Sequence, residues 1–252
     1  MSAMTGRLAG RRIVVTGAAS GIGAALARLA ADEGAQIACL DRDQAGACAV
    51  AASLSRRGFG IGADVTQLQS VRDAIQMAAA EMAGIDGLVN SAGVVALGPV
   101  VEMTQATWQQ MIDVNLTGSF LMCQAAIPHL LKAGEGASIV NISSAQALIP
   151  VAGAGAYAAS KGGVQSLSKA LAVELAPTIR VNAVCRGLID TPMNAGLNKA
   201  GDDTPPVPLD RYALRRWGQP AEIAACILFL LSQDSSYMTG SSVAVDGGRS
   251  FH

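Results

Sequence analysis

A tyrosine and a lysine four residues apart, Tyr157 and Lys161, end the stretch SAQALIPVAGAGAYAASK that begins at Ser144. The residues after them, GGVQSLSKALAVELA, read as a helix. On a helix, positions i and i+4 share a face, so a phenol and an ammonium point into one space. A free tyrosine titrates at about 10 and is a poor proton donor or acceptor near neutrality. A cation about 4 Å away, at an effective dielectric of about 20, favours a phenolate by roughly 4 kcal/mol, or about three pKa units. That brings a phenol into the range where general acid–base catalysis is efficient. Ser144 closes an apolar strand-like run, SIVNIS, and its hydroxyl can hold a carbonyl or alcohol oxygen beside the phenol. Helices also carry such pairs by chance, as a packed tyrosine beside an exposed lysine, so the surrounding elements decide.

Those elements alternate. Short β-branched runs (RRIVVTG, QIACLD, FGIGAD, DGLVNSA, ASIVNIS, RVNAVC, SVAVDGG) are separated by longer segments rich in alanine and leucine with helical spacing. Strands and helices alternating at this pitch predict an α/β fold: a doubly wound parallel sheet of about seven strands, with helices on both faces. Runs such as IVV and IVNI suit strands buried on both sides. No composition shift or linker divides the chain, so residues 1–252 read as one domain. The irregular stretch Asp190–Gln219, broken by Gly201, Pro205, Pro206 and Pro208, is long for a connector and reads as a lid on the substrate side.

The first strand runs into Thr16-Gly17-Ala-Ala-Ser20-Gly21-Ile22-Gly23 and then a helix. Glycines there allow a tight turn and close approach of a phosphate to the backbone, and the helix N-terminus offers N–H groups and a positive dipole end. The spacing differs from G-x-G-x-x-G. The second strand ends at Asp41, about 20 residues beyond the turn, where a carboxylate can bind the ribose hydroxyls of a dinucleotide.

Composition excludes other classes. With 18 basic against 19 acidic residues there is no charge excess to hold nucleic acid. No apolar run reaches the 18 or so residues of a membrane span, and MSAMTGRLAGRR has basic residues but no apolar core, so a cytoplasmic protein is expected. Cys39, Cys48, Cys123, Cys185 and Cys226 lack C-x-x-C spacing and read as small apolar core residues, with no metal site or disulfide framework. His129 and His252 are too far apart in sequence to suggest a metal centre.

Over nearly its whole length the chain resembles the short-chain dehydrogenase/reductase family. Thr16-Gly17-x-x-x-Gly21-x-Gly23 matches the family's cofactor turn, and Asn90-Ser91-Ala92-Gly93 stands where the family carries N-N-A-G. Asn115, Ser144, Tyr157 and Lys161 match its catalytic tetrad, including the thirteen-residue step from serine to tyrosine. Asp64 and Val65 fall where the family holds the adenine ring. Arg186-Gly187-Leu-Ile189-Asp-Thr191 matches P-G-x-x-x-T except that arginine replaces proline.

The resemblance implies that Tyr157 is the acid–base residue, that Lys161 favours its phenolate and holds the nicotinamide ribose, and that Ser144 orients the substrate oxygen. Asn115 would hold a water linking Lys161 to solvent. The cofactor site would comprise Gly17, Ser20, Gly21, Ile22, Gly23, Asp41, Arg42, Asp64, Val65, Asn90, Ala92, Gly93, Tyr157, Lys161, Gly187, Ile189 and Thr191. NAD is expected over NADP, because the extra phosphate of NADP would meet Asp41 and because Ala19 and Ser20 put no cation in the turn; Arg42 softens this. The substrate is expected to be a secondary alcohol or ketone, in a pocket lined by Val94, Val95, Ala145, Gln146, Leu148, Val151, Leu188 and Met193. Arg186 is a candidate for gripping an anionic group of substrate or cofactor, against the alternatives of a solvent-facing side chain or a surface pair with Asp190. The apolar helices around Thr104–Lys132 and Ala156–Ala176 imply a homotetramer. Two rival functions remain at this point: an NADPH-dependent 3-ketoacyl-carrier-protein reductase, and a non-catalytic nucleotide-binding scaffold on the same fold.

Overall fold

The computed structural model describes residues 6–195 and 208–251. Seven parallel strands form one sheet: β1 (Arg12–Thr16), β2 (Gln36–Asp41), β3 (Gly58–Gly62), β4 (Gly87–Asn90), β5 (Ala137–Ser144), β6 (Ile179–Arg186) and β7 (Ser242–Val245). Their order is β3-β2-β1-β4-β5-β6-β7, so the winding reverses between β1 and β4. The helices are α1 (Gly21–Asp32), α2 (Gln44–Ala52), α3 (Leu68–Met82), α4 (Gln105–Met111), α5 (Gly118–Ala133), α6 (Gly155–Leu175) and α7 (Pro220–Leu231).

Side chains alternate across the sheet with period two. In β1, Ile13 and Val15 join one core cluster with Leu26 and Ala27 of α1 and Ile223, Ile227 and Leu231 of α7. Val14 between them faces the other, with Ile75 of α3, Met122 and Leu130 of α5, and Leu171 and Leu175 of α6. All eight residues of β5 and of β6 are buried, although Ser138, Asn141, Ser143 and Ser144 in the first and Arg180, Asn182 and Arg186 in the second are polar or charged. Alanines on α1 (Ala24, Ala27, Ala30, Ala31) are fully or almost fully buried, the small-residue surface that seats this helix on the sheet.

Two expectations need correction, and a third falls largely outside the described residues. Cys39, Cys123 and Cys185 are buried and Cys226 is partly so, but Cys48 on α2 is exposed, its thiol donating to the Gly60 carbonyl at 3.7 Å. The helical segment expected from Thr104 is not continuous, because a π-helical turn, Ile112–Thr117, separates α4 from α5 and carries Asn115. Of the expected lid, residues 196–207 lie outside the described residues; its flanks are short 3-10 turns at Pro192–Asn194 and Leu209–Arg211. Among the described residues no helix is long and apolar enough to cross a membrane.

Candidate active site

The reversal of winding sends the connections leaving β1 and β4 to opposite faces of the sheet, and the crevice this opens at the strand C-termini is where such sheets bind ligands. A cleft of about 860 Å³ lies there. Its walls include Gly17, Ser20, Gly21, Ile22 and Gly23 from the first turn, Asp41 and Arg42 after β2, and Asp64 and Val65 after β3. Ala92, Gly93, Val94 and Val95 after β4, then Tyr157, Lys161, Arg186, Thr191 and Met193, complete the residues expected there.

The first turn cannot carry larger residues. Gly17 has φ +66°, and a Cβ on it would stand 2.8 Å from the backbone nitrogen of Ala92. Gly23 is packed so tightly against the carbonyl of Gly17 that any side chain would overlap it. Thr16 locks the β1 and β4 ends together, its hydroxyl accepting from the N–H groups of Ser91 and Ala92, each at 3.1 Å. Asp41 is fixed beside the turn by accepting from Ala19 N and Asp43 N, each at 3.0 Å. A glycine turn at a helix start, with a fixed carboxylate at the second strand's tip, fits the phosphates and ribose of a dinucleotide.

The tyrosine–lysine pair sits deeper. Tyr157 and Lys161 lie on α6 and are 3% and 5% exposed. Yet the lysine does not bond the phenol. Its Nζ donates to the Ile142 carbonyl at 2.8 Å, and the group that reaches Tyr157 Oη is Arg186, whose Nη2 donates at 3.2 Å. The same nitrogen lies 3.4 Å from Met193 Sδ, and Nη1 donates to the Gly187 carbonyl at 3.1 Å. Arg186 is 9% exposed, so neither the solvent-facing side chain nor the surface pair describes it. Burial, and secondarily the Arg186 guanidinium, push the Lys161 ammonium down to about 7.

Asn115 is fully buried. Its amide is committed: Oδ1 accepts from Val94 N at 2.9 Å, and Nδ2 donates to the Val94 carbonyl and Ser160 Oγ, each at 3.0 Å. Ser144 ends β5 directly opposite Arg186 in the β5–β6 register, its hydroxyl accepting from Gln146 N at 3.2 Å.

Several expected residues stand away from the cleft wall. Asn90 points into the interior, donating to Asn141 Oδ1 at 2.8 Å, so it ties β4 to β5. Gly187 is required by packing, since a Cβ there would stand 2.7 Å from the Asp246 backbone. Ile189 is buried and lends its carbonyl to Asn194 Nδ2 at 2.9 Å. Gln146 accepts from Val151 N at 2.9 Å and so pins its own loop. Of the expected pocket residues, Val94, Val95 and Met193 line the cleft, whereas Ala145, Leu148, Val151 and Leu188 do not. Sequence reasoning missed Thr16 as a clamp, and also Gln109, Gln110 and Asp113 on the cleft wall. The threonine before the glycine turn was the available signal for the first; polar residues near a helix end gave none for the others.

Residues 17–250 match the family model described as enoyl-(acyl carrier protein) reductase. The chain is 38% identical over 253 residues to 2-(S)-hydroxypropyl-CoM dehydrogenase 3 of Xanthobacter autotrophicus, covering 97% of this chain and 98% of that one. It is 39% identical over 250 residues to the 3-oxoacyl-(acyl-carrier-protein) reductase of Thermotoga maritima, covering 96% and 98%. A solved short-chain dehydrogenase of Burkholderia cenocepacia in complex with NADP superposes with a TM-score of 0.88 at 35% identity, over 96% of this chain and 99% of that one. Fold, cleft and relatives together define an oxidoreductase of the nicotinamide-dinucleotide class. The chain belongs to the short-chain dehydrogenase/reductase family.

The lowered Lys161 ammonium has a consequence for stability. The folded value is about 7 and the ordinary one 10.5, so between them the unfolded chain binds more protons. The destabilisation is fully present below pH 7 and is relieved as pH rises toward 10.5. Urea midpoints of the cofactor-free protein should therefore rise with pH across this window more steeply than those of Lys161→Met. Parallel profiles would show that the buried amine is not neutralised there.

Proposed function

We propose that the protein interconverts a secondary alcohol and a ketone with NAD(H), using Tyr157 as general acid and base. The observation that carries this reading is the buried phenol at the end of an open dinucleotide-shaped cleft, with Lys161 and Arg186 beside it and Ser144 at the adjacent strand end. A bound nicotinamide would supply the hydride acceptor for the carbinol carbon. The alcohol's hydroxyl proton passes to the deprotonated oxygen of Tyr157, so that one proton and two electrons are accounted for; reduction runs the reverse. Ser144 holds the substrate oxygen next to the phenol and stabilises the charge that develops on it. The buried amine of Lys161 holds or yields a proton close to the phenol, and a value of about 7 suits it to either state near neutrality. With the Asn115 amide spent on Val94 and Ser160, a water relay at this residue would have to use its main chain.

Gly17, Ser20, Gly21, Ile22, Gly23, Asp64, Val65, Ala92, Gly93 and Thr191 would hold the cofactor, and Asp41 would select its ribose. A carboxylate fixed by two backbone N–H groups at the lip of the turn takes ribose hydroxyls but repels the additional phosphate of NADP. Exposed Arg42 beside it weakens that repulsion. The NADP complex of the Burkholderia relative and the similarity to a ketoacyl reductase favour the rival assignment, an NADPH-dependent 3-ketoacyl-carrier-protein reductase. Catalytic efficiency with NAD should exceed that with NADP by about tenfold or more, where tenfold corresponds to about 1.4 kcal/mol. Equal or better efficiency with NADP would favour the rival.

Across a panel of secondary alcohols and ketones, Tyr157→Phe should lower kcat by about 10²–10⁴-fold, the range for losing a general acid–base group, while leaving the dissociation constant for the cofactor nearly unchanged. An active Tyr157→Phe enzyme would remove the phenol from the mechanism. A chain that transfers no hydride with any member of the panel would point to the scaffold reading.

The assembly we propose is a homotetramer. Trp108, Phe120 and Leu131 on α4 and α5, and Val173 on α6, are exposed apolar side chains on the two segments expected to pair. Sedimentation at micromolar concentration should give a single species of four chains; a monomer would refute the assignment.

A further inference from the structure

The departure from the family pattern at residue 186 has landed on the reacting atom. Tyr157 Oη receives a hydrogen bond from Arg186 Nη2, whereas Lys161 Nζ is spent on the carbonyl of Ile142. Arg186 is buried, and among the described residues no carboxylate forms an ion pair with it or with Lys161. A guanidinium keeps its charge throughout the working range of pH, unlike an amine buried beside it. An uncompensated buried cation gains most from an anion within hydrogen-bond reach, and the hydroxyl it holds is the one the proposed reaction uses.

We propose that Arg186 is a further catalytic residue, the permanent cation that holds the phenolate of Tyr157, leaving Lys161 free for proton exchange and for the cofactor ribose. This rests on the reading of Tyr157 as the acid–base group. The other charged groups around the phenol do not take over the task. Lys161 faces it from α6. Asp41, Arg42, Asp64 and Asp113 line the same cleft but bond other partners or none of the three. Behind Arg186, the carboxylate of Asp246 accepts from the N–H groups of Gly248, Arg249 and Ser250, and Tyr212 lies close enough to feel the guanidinium.

The two cations make opposite predictions for one variant. Arg186→Gln removes a charge from the phenol, and it also removes one of the two causes that hold Lys161 down, leaving the amine more fully charged near neutrality. If Arg186 holds the phenolate, the acid limb of the pH profile for alcohol oxidation moves to higher pH by about one unit or more, the range for losing an opposite charge at contact. The rate near neutrality falls about tenfold with it. Arg186→Lys should recover only part of the loss, because a second buried amine gives up charge where a guanidinium does not. Arg186→Pro, which restores the family's residue, should repeat the alkaline shift and serves if the glutamine variant does not fold. An acid limb that stays in place or moves to lower pH in both neutral variants would overturn the proposal and return the task to Lys161.

A second readout needs no substrate or cofactor. Only three tyrosines are present, so the ultraviolet tyrosinate band can be followed as the free protein is titrated. Wild type should show a component that is lost in Tyr157→Phe and displaced to higher pH in Arg186→Gln. Superimposable titrations of wild type and Arg186→Gln would also overturn the proposal, even with no alcohol turned over. Loss of the component in Tyr157→Phe together with its displacement in Arg186→Gln would sustain it and place any failure of turnover in the functional reading.

Discussion

The reversal of winding between β1 and β4 is the constraint on which the site depends. It forces the connections after these two strands apart and leaves a crevice at the strand ends, walled on one side by residues of α4 and α6. The C-terminal ends of strands bring to it the glycine turn after β1, Asp41 after β2, Gly93 after β4 and Arg186 at the end of β6. Ser144, at the end of β5 beside Arg186, is buried behind the cleft wall. Thr16 keeps the two lips in register through the N–H groups of Ser91 and Ala92. Helix α6 then needs only to lie across β5 and β6 to bring Tyr157 and Lys161 to the same place.

The fold was legible because short β-branched runs, such as Ile13–Val15 and Ile139–Val140, mark the buried strands between alanine-rich helical segments. β5 and β6, with eight buried residues each, leave no doubt about their type, and the alanine-rich α1 declares its close packing. The tyrosine and lysine were legible for a different reason: helical spacing alone puts them on one face. What spacing cannot convey is which acceptor a flexible side chain finds. The four-carbon stem of Lys161 carries its ammonium past the phenol to a strand carbonyl, an acceptor that every residue possesses and that no residue type advertises.

Similar reasoning applies to motif residues whose contacts in this structure are with the protein itself. Asn90 and Gly187 stand where the family resemblance places them, but one holds β4 to β5 through Asn141 and the other makes room for the backbone of Asp246. A motif marks where a residue type is needed and does not separate contact with a ligand from support of the wall behind it. The π-helical turn at Asn115 was hidden as well. Its amide must reach both Val94, across the cleft edge, and Ser160 on α6, and that requirement is visible only once the elements have been assembled.

Placing a guanidinium and an amine in one buried corner is expensive for the fold. Among the described residues no carboxylate pairs with either, whereas Arg12 is paired with Asp86 at 2.7 Å. Buried Arg180 also lacks a carboxylate among them, but it stands apart from this corner and spends its donors on Ser235 Oγ and main-chain carbonyls. The energetic conflict is met in two ways. Arg186 distributes its donors over the Gly187 carbonyl, the Met193 sulfur and the Tyr157 hydroxyl. Lys161, held by the Ile142 carbonyl, yields part of its charge instead, its ammonium lowered to about 7. Violations of ordinary packing rules that persist in a folded protein concentrate where function needs them. Here the violation consists of two cationic side chains without a carboxylate partner among the described residues, both in the corner that encloses the Tyr157 hydroxyl.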